Sequence, residues 1–411
     1  MTLQNENTNK INGSQAGTVN LSDLNFSGQH WTSVKFSKNI LMDALVKHIL
    51  GLMQYGMSDL GEVLEVVGQL KASDEERWIR AWGAVAQRLQ DRAEKAESTD
   101  KRVTASTAYL RASTYWRSSL MFFSQPDDSR MKDYALASIK CYEKYLELSG
   151  YPGEYIEVPY ENSFLPGHFY RSPVAGDNAP LLIITPGRDT FAEDTRWVYD
   201  GAIRRGIHCL IYDGPGQGFA LRLNNIPFRH DWENVVGSVV DFALKIPGID
   251  PSRIGLMGLS FGGFLVPRVA AFEKRIKVCI ADSGNLSWGG AIIGHLQKIS
   301  HLQPHELPSE VSSLVSDYAW KHGVPNSVKD VIQALQAYDN TSVVDKITCQ
   351  TLVMDGTAEI NYGAAQKFYD ALKCPKDYML FDETTTAQSH CQMGGYATAT
   401  EYLFDWLDER L

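Results

Sequence analysis

The sequence predicts an α/β fold, a mostly parallel β-sheet covered by helices on both faces and preceded by an all-helical segment. Two observations predict it. From about Asn39 to Leu148, apolar residues recur at intervals of three and four, the spacing of helices that bury one face. After Gly150 the texture changes to short apolar runs bounded by Gly, Pro and Asp, with helical stretches between most of them. Strands that alternate with helices build a parallel sheet sandwiched between helical layers.

In chain order, residues 1–25 are polar and rich in Asn, Gly and Ser, the composition of a disordered tail. Residues 26–150 are expected to form a helical cap or lid domain. Its helical segments are ILMDALVKHILGLMQYG, DLGEVLEVVGQL, ERWIRAWGAVAQRLQDRAEKAE, RVTASTAYLRASTYWRSSLMFF and MKDYALASIKCYEKYLELSG. Residues 151–411 are expected to form the catalytic domain. Its strand-like runs are EYIEVPY, LPGHFYR, PLLIITPG, IHCLIYDGPGQG, RIGLMG, KVCIAD, TLVMDG and DYMLF. Helices are expected at EDTRWVYDGAIRRG, WENVVGSVVDFALK, FLVPRVAAFEKR, GAAQKFYDALK and YATATEYLFDWLDERL. A long interruption at about 284–345 reads as an insert of loops and short helices. No internal repeat is visible.

Composition excludes several classes of function. The apolar share of 44% and charged share of 21% are those of an ordinary globular protein. A net charge of −10 argues against nucleic acid and anionic membranes as partners, because both reward basic patches. Six cysteines are scattered without metal spacing, several inside apolar runs, so buried reduced thiols are expected. The polar amino terminus lacks the apolar core of a signal peptide, and no apolar run approaches the roughly 20 residues of a membrane span. A cytoplasmic location is the expectation. His295, His301 and His305 lie close in sequence, but Pro304 breaks any shared helical face, so no metal site is expected there. The glycine-rich IYDGPGQGFA has neither the dinucleotide fingerprint nor the phosphate-binding lysine, and reads as a tight strand-to-helix turn. No cofactor is expected.

The chemistry-bearing stretch is RIGLMGLSFGGFLVPRVA. Gly258-Leu259-Ser260-Phe261-Gly262 places a serine between glycines, at the junction of a strand-like and a helix-like run. That is the pattern of a nucleophile elbow, where the turn is too tight for side chains at the glycines. The Phe261 N–H, at a helix amino terminus, is then an oxyanion donor. A serine hydroxyl needs a base, and the base needs an orienting acid. His390, between the last strand and the terminal helix, stands where the base belongs. Glu359 is favoured as the acid by the spacing Gly356-Thr-Ala-Glu359; Asp355 at the strand end is the alternative, and Asp282 a third. The second oxyanion donor is expected from the loop IITPGRDTFAED, at the backbone N–H of Arg188, whose side chain could also bind an anion or lie in solvent. The aromatics Trp78, Trp82, Tyr109, Tyr115 and Trp116 could line an apolar pocket or form the helical segment's own core.

GLSFGG, IYDGPGQG, PGRDTFAED, RHDWENVVGSVVDF and FDETTTAQSHC together resemble the α/β-hydrolases that include 2,6-dihydroxypseudooxynicotine hydrolase and the polyketide-shortening hydrolases. The resemblance covers about residues 40–411. Many relatives carry a Glu-Glu-Gly-Ala-like segment before the histidine, where this chain has Glu383 to Ala387. The resemblance implies an α/β-hydrolase fold, a helical cap over the active site and retro-Claisen cleavage of a carbon–carbon bond next to a ketone. The implied substrate is a small polyketide-like or aromatic ketone. It also implies a homodimer. An esterase, lactonase or acyltransferase activity would use the same residues.

Overall fold

A computed structural model describes residues 30–70, 74–124, 126–302 and 304–411. The tail expected at residues 1–25 lies outside them. Five helices come first: α1 (Ile40–Gly51), α2 (Leu60–Val67), α3 (Glu75–Glu97), α4 (Arg102–Leu120) and α5 (Ser129–Ser149). Local chemistry sets their ends. The Asn39 side chain accepts the N–H groups of Leu41 and Met42, Asp128 caps α5, and Gly150 closes α5 at φ +70°.

The sheet then begins with β1 (Gly153–Tyr160), β2 (Ser163–Tyr170) and β3 (Ala179–Thr185), followed by α6 (Arg196–Ile203), β4 (His208–Tyr212), α7 (Gly218–Arg222) and α8 (Glu233–Ala243). It continues through β5 (Ile249–Leu259), α9 (Phe261–Phe272) and β6 (Ile276–Asp282). An insert of α10 (Gly290–Lys298), α11 (Ser309–His322) and α12 (Val328–Gln336) precedes β7 (Gln350–Gly356), α13 (Ala364–Ala371), β8 (Lys376–Phe381) and α14 (Tyr396–Leu407). The eight strands lie in the order β1-β2-β4-β3-β5-β6-β7-β8. The pairings of β1 with β2 and of β2 with β4 are antiparallel, and the rest are parallel.

Two apolar cores flank the sheet. One runs without a break from α1–α5 through α6 and α14 onto residues such as Leu182, Ile184 and Met257. The other joins α8, α9 and α13 to the opposite face, through residues such as Leu181, Ile183 and Leu256. A smaller cluster, including Leu296, Val315 and Leu335, holds the insert helices together. The insert is more regular than loops and short helices, since α11 alone is 14 residues long. The start of α3 and the chain just beyond α4 reach α11: Ser313 donates to Glu75 at 2.9 Å and Ser316 to the Ser124 carbonyl at 3.4 Å. Trp78, Trp82, Tyr109, Tyr115 and Trp116 are all buried in the core that the helical segment shares with one face of the sheet. The Trp78 ring lies tilted at 5.6 Å from that of Trp82, which lies 5.2 Å from Tyr115.

Candidate active site

Ser260 joins β5 to α9 at φ +57°, ψ −118°, a strained backbone that turns its side chain out of the sheet. Close approach explains the surrounding glycines. A Cβ on Gly258 would lie 2.1 Å from the Gly262 carbonyl oxygen, and one on Gly262 would lie 2.4 Å from that of Thr185. The parallel register sets the end of β5 beside the end of β6, pairing Leu259 with Asp282. The Asp282 carbonyl accepts the Ser260 N–H at 2.5 Å.

His390 follows β8 and places Nε2 2.8 Å from Ser260 Oγ and Nδ1 2.7 Å from Glu359 Oε1. The acceptor at Nδ1 is a carboxylate, so Nδ1–H donates to Glu359 and Nε2 accepts from the serine hydroxyl. Burial opposes charge on both partners, yet each favours the ionised form of the other. Glu359 is held below the ordinary carboxylate range, mainly by His390. The Cys391 thiol is pushed up to about 12 by burial and so stays neutral. Glu359 is therefore the anion that raises the His390 imidazolium well above its usual pKa. The imidazole remains reachable, with its side chain 28% exposed.

Asp355 is not in this chain of bonds. Its carboxylate accepts the Gly356 N–H at 2.8 Å and the Tyr378 hydroxyl at 2.7 Å, a local cap at the end of β7. Asp282 serves differently again. Its carbonyl also accepts the Cys391 thiol at 3.5 Å, and its carboxylate accepts the Gln392 amide at 3.2 Å. Cys391 and Gln392 have φ of +45° and +51°, so the turn carrying His390 is strained and Asp282 ties it to Ser260. Burial pushes the Asp282 carboxyl up to about 7. A strap at the start of the described chain braces the same turn, with the Trp31 indole donating to the Thr386 carbonyl at 3.0 Å.

The Phe261 N–H lies in the first turn of α9, among the donors a helix leaves unpaired. The loop after β3 passes close to Ser260, since a Cβ on Gly187 would stand 3.2 Å from the serine's own. Arg188 follows directly. Its side chain is neither solvated nor free to bind an anion, because it pairs with Asp189 at 2.8 Å and Asp317 at 2.5 Å. Lys321 closes the ring, at 2.6 Å from Asp189 and 2.8 Å from Asp317. The guanidinium also covers the Tyr318 ring at 3.9 Å. Two buried cations and two partly buried carboxylates thus clamp this loop to α11. Sequence reasoning missed Asp189, Asp317 and Lys321; the only local signal was the four-residue spacing of Asp317 and Lys321.

A small cavity of about 70 Å³ has Ser260, Glu359 and His390 in its wall. It adjoins a larger cleft of about 790 Å³ between the chain leading into α10 and the loop after Glu359. Trp288, Asn285, Asn361, Glu359 and His390 line both. Among the described residues no group of three or more His, Cys, Asp or Glu is placed to hold a metal ion. All six cysteines are free thiols.

The strand order, the serine elbow after β5 and the histidine after β8 together define an α/β-hydrolase. More narrowly, the chain belongs to the FrsA-like esterase family, whose model matches residues 62–298. It is 29% identical to the 20-hydroxy-prefusarin hydrolase of Gibberella moniliformis, covering 88% of this chain and 94% of that one. It is 28% identical to the α/β hydrolase xenA of Xenoacremonium sinensis, covering 91% of this chain and 97% of that one. Among solved structures, that of 2,6-dihydroxy-pseudo-oxynicotine hydrolase superposes with a TM-score of 0.70 at 19% identity, over 88% of this chain and 95% of that one.

Proposed function

We propose that this chain is a serine hydrolase that cleaves a carbon–carbon bond next to a ketone in a β-dicarbonyl, polyketide-like substrate. The observation that carries the reading is the hydrogen-bonded succession Ser260–His390–Glu359 on the elbow. In it, Ser260 Oγ attacks the ketone carbon while His390 Nε2 takes the hydroxyl proton and Glu359 steadies the imidazolium. The N–H groups of Phe261 and Arg188 hold the oxyanion. Collapse of the tetrahedral intermediate breaks the bond to the α-carbon, whose electron pair passes into the neighbouring carbonyl as an enolate. His390 returns its proton to that carbon. A water molecule, deprotonated by His390, then releases the acyl group from Ser260 as a carboxylic acid. The helical segment and the insert act as a lid that keeps this site dry.

The family supports a second reading, ester hydrolysis by the same residues, which needs no enolate. Mass spectrometry of products from a β-diketone, beside turnover of p-nitrophenyl acetate, separates the two. Acid plus ketone from the diketone is the expected result; ester turnover with an intact diketone selects the esterase. Ser260→Ala should abolish either activity and labelling by a fluorophosphonate, since loss of a triad nucleophile costs on the order of 10⁶ in rate. Retention of more than a few percent of the activity would remove Ser260 from the reaction.

A further inference from the structure

The loop after Glu359 carries two apolar side chains in an unusual position. Ile360 is 74% exposed and Tyr362 57% exposed, directly beside a buried carboxylate. Both lie on the wall of the 790 Å³ cleft, which Trp288 and Ile292 border on the insert side. Trp288 also reaches inward, with its ring 4.2 Å from that of Phe261. The cleft thus presents these four side chains together with the polar Ser287, Thr341 and Lys367, while Asn285 and Asn361 line both it and the small cavity that holds Ser260 and His390.

Which half of a substrate this cleft takes follows from proton transfer. In an acyl-enzyme mechanism the histidine gives its proton to the departing group, so that group must lie on the histidine side of the nucleophile. The acyl carbonyl faces the oxyanion donors, on the side of Phe261 and Arg188. The cleft is lined by Glu359 and His390 and not by Arg188. We propose that the cleft between Trp288 and the Ile360–Tyr362 loop is the subsite for the leaving fragment, and that it selects a ketone carrying an extended apolar or aromatic chain. The assignment rests on the serine-hydrolase reading above. Asn285 and Asn361, which line both the cleft and the small cavity, would be the side chains available to the departing ketone's oxygen as it takes up the enolate charge.

The test separates the two halves of the substrate. Two ester series are compared: acetates whose leaving alcohol lengthens from methyl to decyl or 2-naphthyl, and methyl esters whose acyl chain lengthens from acetyl to decanoyl. The variant is Ile360→Asp with Tyr362→Ala; both side chains are mostly exposed, so the fold is spared. The expected result is a loss of about tenfold in kcat/KM for the long-alcohol acetates, carried by KM, the scale of removing one to two kcal/mol of apolar contact. Methyl acetate and the whole acyl series should stay within about twofold. A loss confined to the acyl series would move the cleft to the other half of the substrate, and no loss in either would overturn the subsite. If Ser260→Ala still turned over methyl acetate, the serine-hydrolase reading itself would fail, which is a separate outcome.

Discussion

At the scale of single residues, the site is a set of charges whose pKa values move one another. In the proposed mechanism His390 is a base only when neutral, and Glu359 holds its imidazolium above the usual range. The acid limb of kcat/KM should therefore lie above the ordinary histidine value of about 6.5, with activity rising as pH climbs through it. Glu359→Gln removes the anion, so the limb should fall to lower pH while the rate drops by roughly 10⁴, as expected when an orienting carboxylate is lost. Cys391→Ala should leave the limb in place, because the thiol is neutral in that range. Asp355→Asn should cost far less than Glu359→Gln, since the Asp355 carboxylate is hydrogen-bonded to Gly356 and Tyr378 and not to His390. A pH–rate comparison of the four proteins checks the whole set. The reverse ranking of the two acids would transfer the role to Asp355.

At the scale of elements, the helical segment is bolted to the sheet by charge as well as by apolar packing. Arg117 on α4 donates to Asp194, in the turn after β3, at 2.9 Å, with both side chains almost fully buried. Arg117 also donates to Ser113 Oγ at 2.7 Å. Asp194→Ala leaves that guanidinium buried without its counter-charge and should destabilise the fold by about 3–5 kcal/mol. Replacing the pair together, Arg117→Leu with Asp194→Leu, should recover most of the loss, because two well-packed apolar groups replace two desolvated ions. Urea denaturation of the single and double variants measures both. No loss in Asp194→Ala would mean that the segment is held by its apolar contacts alone, and equal losses in the two variants would mean that the stranded guanidinium is not the cause.

For the molecule as a whole, α1–α5 share one continuous core with α6, α14 and a face of the sheet. Removing residues 1–148 strips that face bare, so the remainder is expected to aggregate or to lose activity on a large substrate. Removing residues 1–25 leaves the Trp31 contact to Thr386 in place and should preserve turnover. Size-exclusion chromatography with activity measurements on both truncations checks this. A monodisperse, fully active remainder would make the helices an independent module rather than a lid.

What the sequence determined by itself was local. The alternation of strands and helices is legible because each element writes its own periodicity, and the elbow because its glycines sit within a few residues of Ser260. His390 is suggested by chain order, in the loop between the last strand and the terminal helix, whereas Glu359 is favoured only by its spacing from Gly356, which leaves Asp355 and Asp282 as alternatives. Tertiary structure decided what joins distant parts of the chain. Gln392 binds a carboxylate 110 residues away, and Arg188 one 129 residues away. No periodicity records such pairs; they exist because a parallel sheet gathers the carboxyl ends of β3, β5, β6 and β7 at one edge. The same gathering leaves the cleft beside His390, whose walls come from two loops that neither pattern nor spacing connects.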